Sequence, residues 1–288
     1  MSVDASAATV VCVLGTSRAG TSLTTRVLNL AGVYLGPEEE LLQRPGEVNP
    51  KGFWEHYRIM RLNERILRAF GGSWREPPEL PAGWERSEKL DAERDEARTL
   101  LAESFGERRL WGWKDPRNSL TLPFWQALLP GMRYVVCLRN PLDVAASLQR
   151  RDGLPHEQAV DLWMVYVARA LVNTSGGPRL LLPYESHFAD PQGTAKRLAA
   201  FAGQGQAFDD ADSRRLLAET VDEGLWRHRT AAEDVVADVR LPLPAASLHL
   251  ITELLAAGEG RWIDGEEAEV VAAVNRLAAR LLDFRRAG

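Results

Sequence analysis

The sequence predicts an α/β fold in which a parallel β-sheet lies between layers of helices, and three observations predict it. Four short apolar runs, at 9–15, 109–113, 133–138 and 179–184, are bounded by turn residues and separated by helical patterns, the alternation of a parallel sheet covered on both faces. The first run leads through a Gly-closed loop, GTSRAGTS at 15–22, directly into a helical pattern. The third ends at Leu138 and is followed by Pro141, which suits the first position of a helix because it has no amide proton to leave unsatisfied.

Taken in order, the first strand gives way to a helix at 21–31, an irregular stretch, and a second helix from about His56 to Phe70. Residues 71–86, GGSWREPPELPAGWER, are too rich in Pro, Gly and Trp to continue it. The charged segment from Ser87 to Ser104 reads as an exposed helix. Helices follow at Leu142–Arg151 and His156–Thr174, the second with a broad apolar face that includes Leu162, Trp163, Tyr166 and Leu171. After Phe201 the pattern weakens, and Ala245–Ala256 and Glu266–Arg286 read as amphipathic helices packing on the rest. The expectation is one domain over residues 1–288, with a core at about 9–205 and a C-terminal helical extension at about 206–288.

A chain of 288 residues, 45% hydrophobic, is long enough to bury a large core. Its formal net charge of −5 argues against nucleic acid as a partner, so any anion site must be a local gathering of arginines. Cys12 and Cys137 are its only cysteines, both inside apolar runs, which excludes a disulfide framework. No run approaches the length that spans a bilayer, and the first ten residues lack a basic, apolar leader pattern. The expectation is a soluble, cytoplasmic protein, its oligomeric state left open.

The loop at 15–22 has the shape of a phosphate loop with its lysine missing. A nucleoside-triphosphate loop of the form GxxxxGK[ST] places Lys where this chain has Thr21, followed by a Ser or Thr that holds Mg²⁺. Here the cation is Arg18, inside the loop, while the amides of residues 19–22 remain at the positive end of a helix, where they cradle an anion. The pattern points to a phosphate-like group held without a metal. Arg139 stands at the carboxyl end of the third strand, where ligands collect in open α/β sheets, and offers a fork of donors to a second phosphate. Helical spacing puts Asp143 and Ser147 on one face of the following helix, toward the same sheet edge.

On these residues the chain resembles the sulfotransferases that use 3′-phosphoadenosine 5′-phosphosulfate. Arg18, Gly20, Thr21 and Ser22 match the family's 5′-phosphosulfate loop, and Arg139 with Ser147 matches its 3′-phosphate motif. LLLPYESHFADP, residues 180–191, resembles a later strand and turn of the family, which implies that Tyr184 lies beside the adenine. NPKGFWEH (49–56) and WGWKDPRNSLTLPFW (111–125) are similar to the bacterial branch. The chain departs from the cytosolic eukaryotic members at Arg18, where they carry lysine, and at Leu23, where they set a tryptophan against the adenine. It departs again at Lys114, Asp115 and Pro116, which stand where they carry the segment with the catalytic histidine.

The resemblance implies sulfuryl transfer to a hydroxyl or amine of a small-molecule or carbohydrate acceptor, with Ala19 and its neighbours in the loop, Arg139, Ser147 and Tyr184 on the donor. Such transfer needs a group to take the acceptor's proton and cations on the developing charge. Glu55 is the first candidate for the base, with Glu38, Glu39, Asp115 and His56 as alternatives, and Lys114 is the candidate cation. Each has a structural alternative: Arg139 pairing with Asp143, Asp115 capping its turn or pairing with Arg117, Lys114 in an ion pair, and Glu55 as a solvated carboxylate in the first turn of a helix. Trp74 and Trp84 either fill core or line an acceptor cleft. Arg227, His228 and Arg229 either add charge near the 3′-phosphate or form an exposed basic turn. Two other readings remain: a small-molecule kinase using ATP and Mg²⁺, and a non-catalytic nucleotide-binding protein.

Overall fold

The computed structural model describes residues 8–42, 52–226, 229–230 and 263–264. Four parallel strands, β1 (Thr9–Gly15), β2 (Leu110–Lys114), β3 (Arg133–Leu138) and β4 (Arg179–Pro183), form the sheet. A two-residue β5 (Ile263–Asp264) pairs antiparallel on β4, giving the order β2-β1-β3-β4-β5. Thr9 lies opposite Leu110, Val11 opposite Arg133 and Tyr134 opposite Arg179. From β1 the chain reaches β2 on one side and β3 on the other, so the carboxyl ends of β1 and β3 flank the point where connections diverge, the usual ligand crevice of such sheets.

The helices are α1 (Thr21–Leu30), α2 (Tyr57–Ala69), α3 (Asp91–Ser104), α4 (Asn118–Leu128), α5 (Pro141–Asp152), α6 (His156–Asn173), α7 (Ser186–Ala189), α8 (Pro191–Phe201) and α9 (Ala211–Thr220). Alternate strand residues feed two cores. Cys12, Leu14, Trp111, Trp113, Val136 and Leu181 pack on the side of α2 to α6, whereas Val11, Val13, Val135, Cys137 and Leu182 pack on the side of α1, α8 and α9. A strand buried on both faces has no polar face to show, hence the unbroken apolar runs in the sequence.

The larger core is held by aromatic contacts along its edge. Phe105 stacks on Trp111 at 4.2 Å, Trp111 lies over Trp113 at 5.7 Å, and Trp113 leans on Trp125 at 5.4 Å. Pro123 sits inside α4, where its ring nitrogen offers no proton to the carbonyl of Ser119. Asn173 fills the gap, its Nδ2 donating to that carbonyl at 2.9 Å. The Ser119 hydroxyl meanwhile clamps the end of β1, accepting from the Gly15 amide at 3.1 Å and facing its carbonyl at 3.2 Å.

The structure refines several expectations. The segment 87–104 is a 3-10 turn followed by α3, and the helix is not simply exposed, since Ala97, Leu100 and Leu101 are buried beneath its charged face. Trp84 is core, 7% exposed and edge-on to Phe70 at 5.7 Å. The sequence pattern misses α4, which carries Pro123, and α8. It also misses α9, which buries only Leu217 and announces itself mainly through Asp210, whose carboxylate accepts from the Ser213 amide at 2.8 Å. The helices expected at 245–256 and 266–286 lie outside the described residues, as do Arg227 and His228.

Candidate functional site

The carboxyl ends of all four parallel strands contribute to one cleft, about 970 Å³ including its open mouth. β1 ends at Gly15 and runs into the phosphate loop. Three residues of the stretch 15–22 have positive φ, Gly15 (+137°), Arg18 (+73°) and Gly20 (+87°). Gly20 is the N-cap of α1 and no side chain caps the helix, so Gly20, Thr21 and Ser22, which line the cleft, are the candidate anion-binding stretch. The Ala19 amide expected to join them donates instead to the Thr16 carbonyl at 3.1 Å, and Ala19 is buried outside the lining. The ring of Tyr184 closes against Gly20: a Cβ there would stand 2.3 Å from Tyr184 Cδ2. Gly20→Ala is therefore expected to displace the ring or the loop, costing about 1–3 kcal/mol. A thermal melt showing no loss of stability would contradict this packing.

β3 delivers Arg139 to the cleft; Ser147, on α5, is buried and touches the cleft only through its bond to Arg18. Asn140 caps α5, its side chain accepting from the Leu142 amide, and Pro141 follows as the sequence suggests. Arg139 is 5% exposed and held on several sides: NH2 lies 3.5 Å from Asp143 Oδ2, NH1 donates to the Arg18 carbonyl at 3.1 Å, and the guanidinium lies 4.3 Å from the centre of the Tyr184 ring. The pair with Asp143 and the cleft position coexist. Arg18 Nε donates to Ser147 Oγ at 2.8 Å, so the loop after β1 and the helix after β3 meet directly. Burial first, then the neighbouring Arg151 and Arg139, push the Arg18 guanidinium down to about 10, against the pull of Tyr184 and Asp152. Burial raises the Tyr184 phenol, with Arg139 and Arg18 acting the other way.

β2 ends on Lys114, only 2% exposed, whose Nζ lies 2.6 Å from Glu55 Oε1 and donates to Ser22 Oγ at 3.2 Å. Ser22 in turn donates to the Phe53 carbonyl at 3.0 Å. Glu55 follows Trp54, another left-handed residue (φ +57°), and that turn directs its carboxylate at the end of β2. A carboxylate, an ammonium and a hydroxyl thus meet beside the first turn of α1, together able to hold a proton acceptor and a cation next to a bound anion.

The other carboxylates and histidines lie elsewhere. Asp115 is fully buried and faces away from the cleft. Its Oδ2 accepts from Asn63 Nδ2 at 2.9 Å, and its Oδ1 accepts from the Arg117 amide at 3.0 Å and from Arg117 NH1 at 2.9 Å. Glu38 and Glu39 are exposed on a single 3-10 turn outside the cleft. His56 is buried against Phe105, with Nε2 2.9 Å from Glu40 Oε2. Burial pushes it down to about 4, Glu40 opposing and Arg58 reinforcing the shift. Trp74 packs on the larger core, its carbonyl accepting from the Tyr166 hydroxyl at 2.9 Å, and Arg229 lies over the Trp226 ring at 4.4 Å. Neither lines the cleft.

Arg26, Trp54 and Arg151 line the cleft and were not singled out in the sequence as ligand-binding residues. Helical spacing offered a signal for two of them: Arg26 lies four residues after Ser22, and Arg151 four after Ser147. Among the described residues no group of three or more His, Cys, Asp or Glu side chains is arranged to hold a metal ion, and no helix is long and apolar enough to cross a membrane.

Residues 11–210 match the model of a family described as the sulfotransferase family. Among solved structures, the chain is similar to the sulfotransferase domain of the olefin synthase from Synechococcus PCC 7002, at 19% identity and a TM-score of 0.45, covering 86% of this chain and 93% of that one. It is similar also to the sulfotransferase domain from the curacin biosynthetic pathway, at 16% identity and a TM-score of 0.44, covering 88% and 98%. A third is sulfotransferase STF1 from Mycobacterium tuberculosis, at 16% identity and a TM-score of 0.43, covering 88% and 78%. The search of curated proteins finds no match.

Proposed function

Because this chain belongs to the sulfotransferase family, we propose that it transfers a sulfuryl group from 3′-phosphoadenosine 5′-phosphosulfate to a hydroxyl or amine of a small-molecule or carbohydrate acceptor. The observation that carries the reading is the convergence of four strand ends on one cleft: the phosphate loop after β1, the Lys114–Glu55 pair at β2, Arg139 at β3 and Tyr184 at β4. The donor's two anionic groups fit this set. One finds the loop amides with Arg18, the other Arg139 with Ser147, and no side-chain cap competes for the first turn of α1.

When bound, the donor supplies a sulfuryl group whose bond to the phosphate oxygen breaks as the acceptor oxygen or nitrogen bonds to sulfur. In the proposal Glu55, which itself lines the cleft, takes the proton released by the acceptor. Lys114 neutralises charge growing on the sulfuryl and leaving-side oxygens, and Ser22 fixes its Nζ between loop and base. Arg139 anchors the 3′-phosphate, its fork held by Asp143 and the Arg18 carbonyl. Asp115 supports the turn after Lys114 and takes no proton from the acceptor. The reading makes the chain one domain and a cytoplasmic protein that needs no metal for transfer.

Calorimetric titration with 3′-phosphoadenosine 5′-phosphate in the presence of a chelator tests the donor, with ADP and ATP as comparisons. Binding that requires the 3′-phosphate and weakens about 10- to 150-fold in Arg139→Ala supports the reading. A preference for ATP in a parallel titration with Mg²⁺ in place of the chelator would make the protein a kinase. Binding without turnover on any acceptor would make it a nucleotide-binding protein alone.

A further inference from the structure

Among the described residues five cations line the cleft: Arg18, Arg26, Lys114, Arg139 and Arg151. Lys114 pairs with Glu55, Arg139 with Asp143 and Arg151 with Asp152, while Arg18 belongs to the phosphate loop and bonds Ser147. Arg26 shares with Arg18 the lack of an ion pair among the described residues but lies outside the phosphate loop. It is half-buried, yet among the described residues its partners are neutral: NH1 donates to Asn29 Oδ1 at 2.7 Å, and its guanidinium lies 4.6 Å from the centre of the Trp54 ring. Burial pushes its pKa down, and no carboxylate among the described residues opposes the shift.

The group is also held in place. Asn29 is itself fixed by its Nδ2, which donates to the Val33 carbonyl at 3.2 Å, and the indole backs the guanidinium from a residue kept at φ +57°. An uncompensated cation facing a cleft calls for either an anion or a π-system. Under the donor reading, both anionic groups of the nucleotide already have their donors, and the flat part left over is its base. Arg26 sits one turn along α1 from Ser22, roughly 6 Å at 1.5 Å per residue, within reach of a base attached to a nucleotide held at the loop.

We infer that the Arg26 guanidinium, backed by Trp54, is a stacking platform for the purine base of the bound nucleotide. The inference rests on the donor reading and adds a further residue on the base to Tyr184, which the resemblance sets beside the adenine. With an indole on one face and a purine on the other, the guanidinium gains cation–π attraction on both sides, which offsets the missing counter-ion. Arginine planes stack on nucleobases in the same way elsewhere.

The test compares two ligands by calorimetry: 3′-phosphoadenosine 5′-phosphate and the base-free 1-O-methylribose 3,5-bisphosphate. Arg26→Leu is expected to weaken the adenine nucleotide about 5- to 30-fold and to leave the base-free ligand within twofold. Trp54→Leu shifts affinity in the same direction by removing the backing. Arg26 lies on a partly exposed helix face, so Arg26→Leu is read even if Trp54→Leu fails to fold. Equal weakening of both ligands by Arg26→Leu overturns the inference, because Arg26 then acts as a charge on the phosphates; unchanged binding of the adenine nucleotide overturns it as well. If the unaltered protein binds neither ligand, the donor reading fails and takes this inference with it, an outcome distinct from the other two.

Discussion

Glu55→Gln lowers the rate of sulfuryl transfer by roughly 10²- to 10⁴-fold, the usual worth of a positioned general base, and leaves affinity for 3′-phosphoadenosine 5′-phosphate within a few-fold. The substitution is chosen for what it preserves. A glutamine amide oxygen still accepts from Lys114 Nζ, now 2.6 Å from Glu55 Oε1, so the ammonium keeps a partner and the mouth of β2 keeps its shape. What disappears is the capacity to take a proton. Release of 3′-phosphoadenosine 5′-phosphate from the donor, with an accepted alcohol or with water, gives the rate, and calorimetry gives the affinity. Full activity in the variant removes Glu55 from the chemistry. Loss of nucleotide binding along with the rate makes Glu55 a residue that shapes the site through Lys114.

The strands were legible because each is buried on both faces, which writes a continuous apolar run into the sequence; the observed bounds Thr9–Gly15 and Arg133–Leu138 are those the runs suggest. Elements that bury little were harder to read, and so was α4, which is buried but interrupted by Pro123. α9 covers a single buried leucine, and α3 hides its apolar stripe among charged neighbours. In the site, the loop shape and the helix start at Pro141 can be read locally, since each depends on a few adjacent residues. The hydrogen bond from Arg18 to Ser147 cannot, because it joins residues 129 apart in the chain. Nor can the sequence say that Lys114 and Asp115, neighbours at a strand end, take opposite sides, one at the cleft and one sealed beneath it. That division follows from Asn63, a buried amide on α2 whose Nδ2 reaches Asp115 and Asn118 and whose Oδ1 accepts from Thr121 and Trp125.

That network makes Asp115→Asn a stability variant. Asp115 is fully buried, and the partner it would abandon, Arg117, is itself mostly buried, with side-chain exposure of 16%. Burial works to lower the Arg117 pKa, yet the Asp115 charge and the other acidic neighbours hold it above its ordinary value. Breaking a buried pair typically costs about 3–5 kcal/mol, because the remaining charge has lost its compensation. Glu64, 2.9 Å from Arg117 Nε, keeps part of that compensation, which sets the expectation near the lower bound, about 3 kcal/mol. For a chain of this size the melting temperature should then fall by roughly 6–12 °C. At a temperature where the variant is still folded, transfer should persist within about tenfold, well short of the loss that follows removal of a general base. The opposite pattern, an unmoved melting temperature with turnover down a hundredfold or more, would transfer the base from Glu55 to Asp115 and require the turn after β2 to open toward the cleft. Glu55→Gln and Asp115→Asn are therefore measured as a pair, since one proton acceptor predicts a rate loss in only one of them.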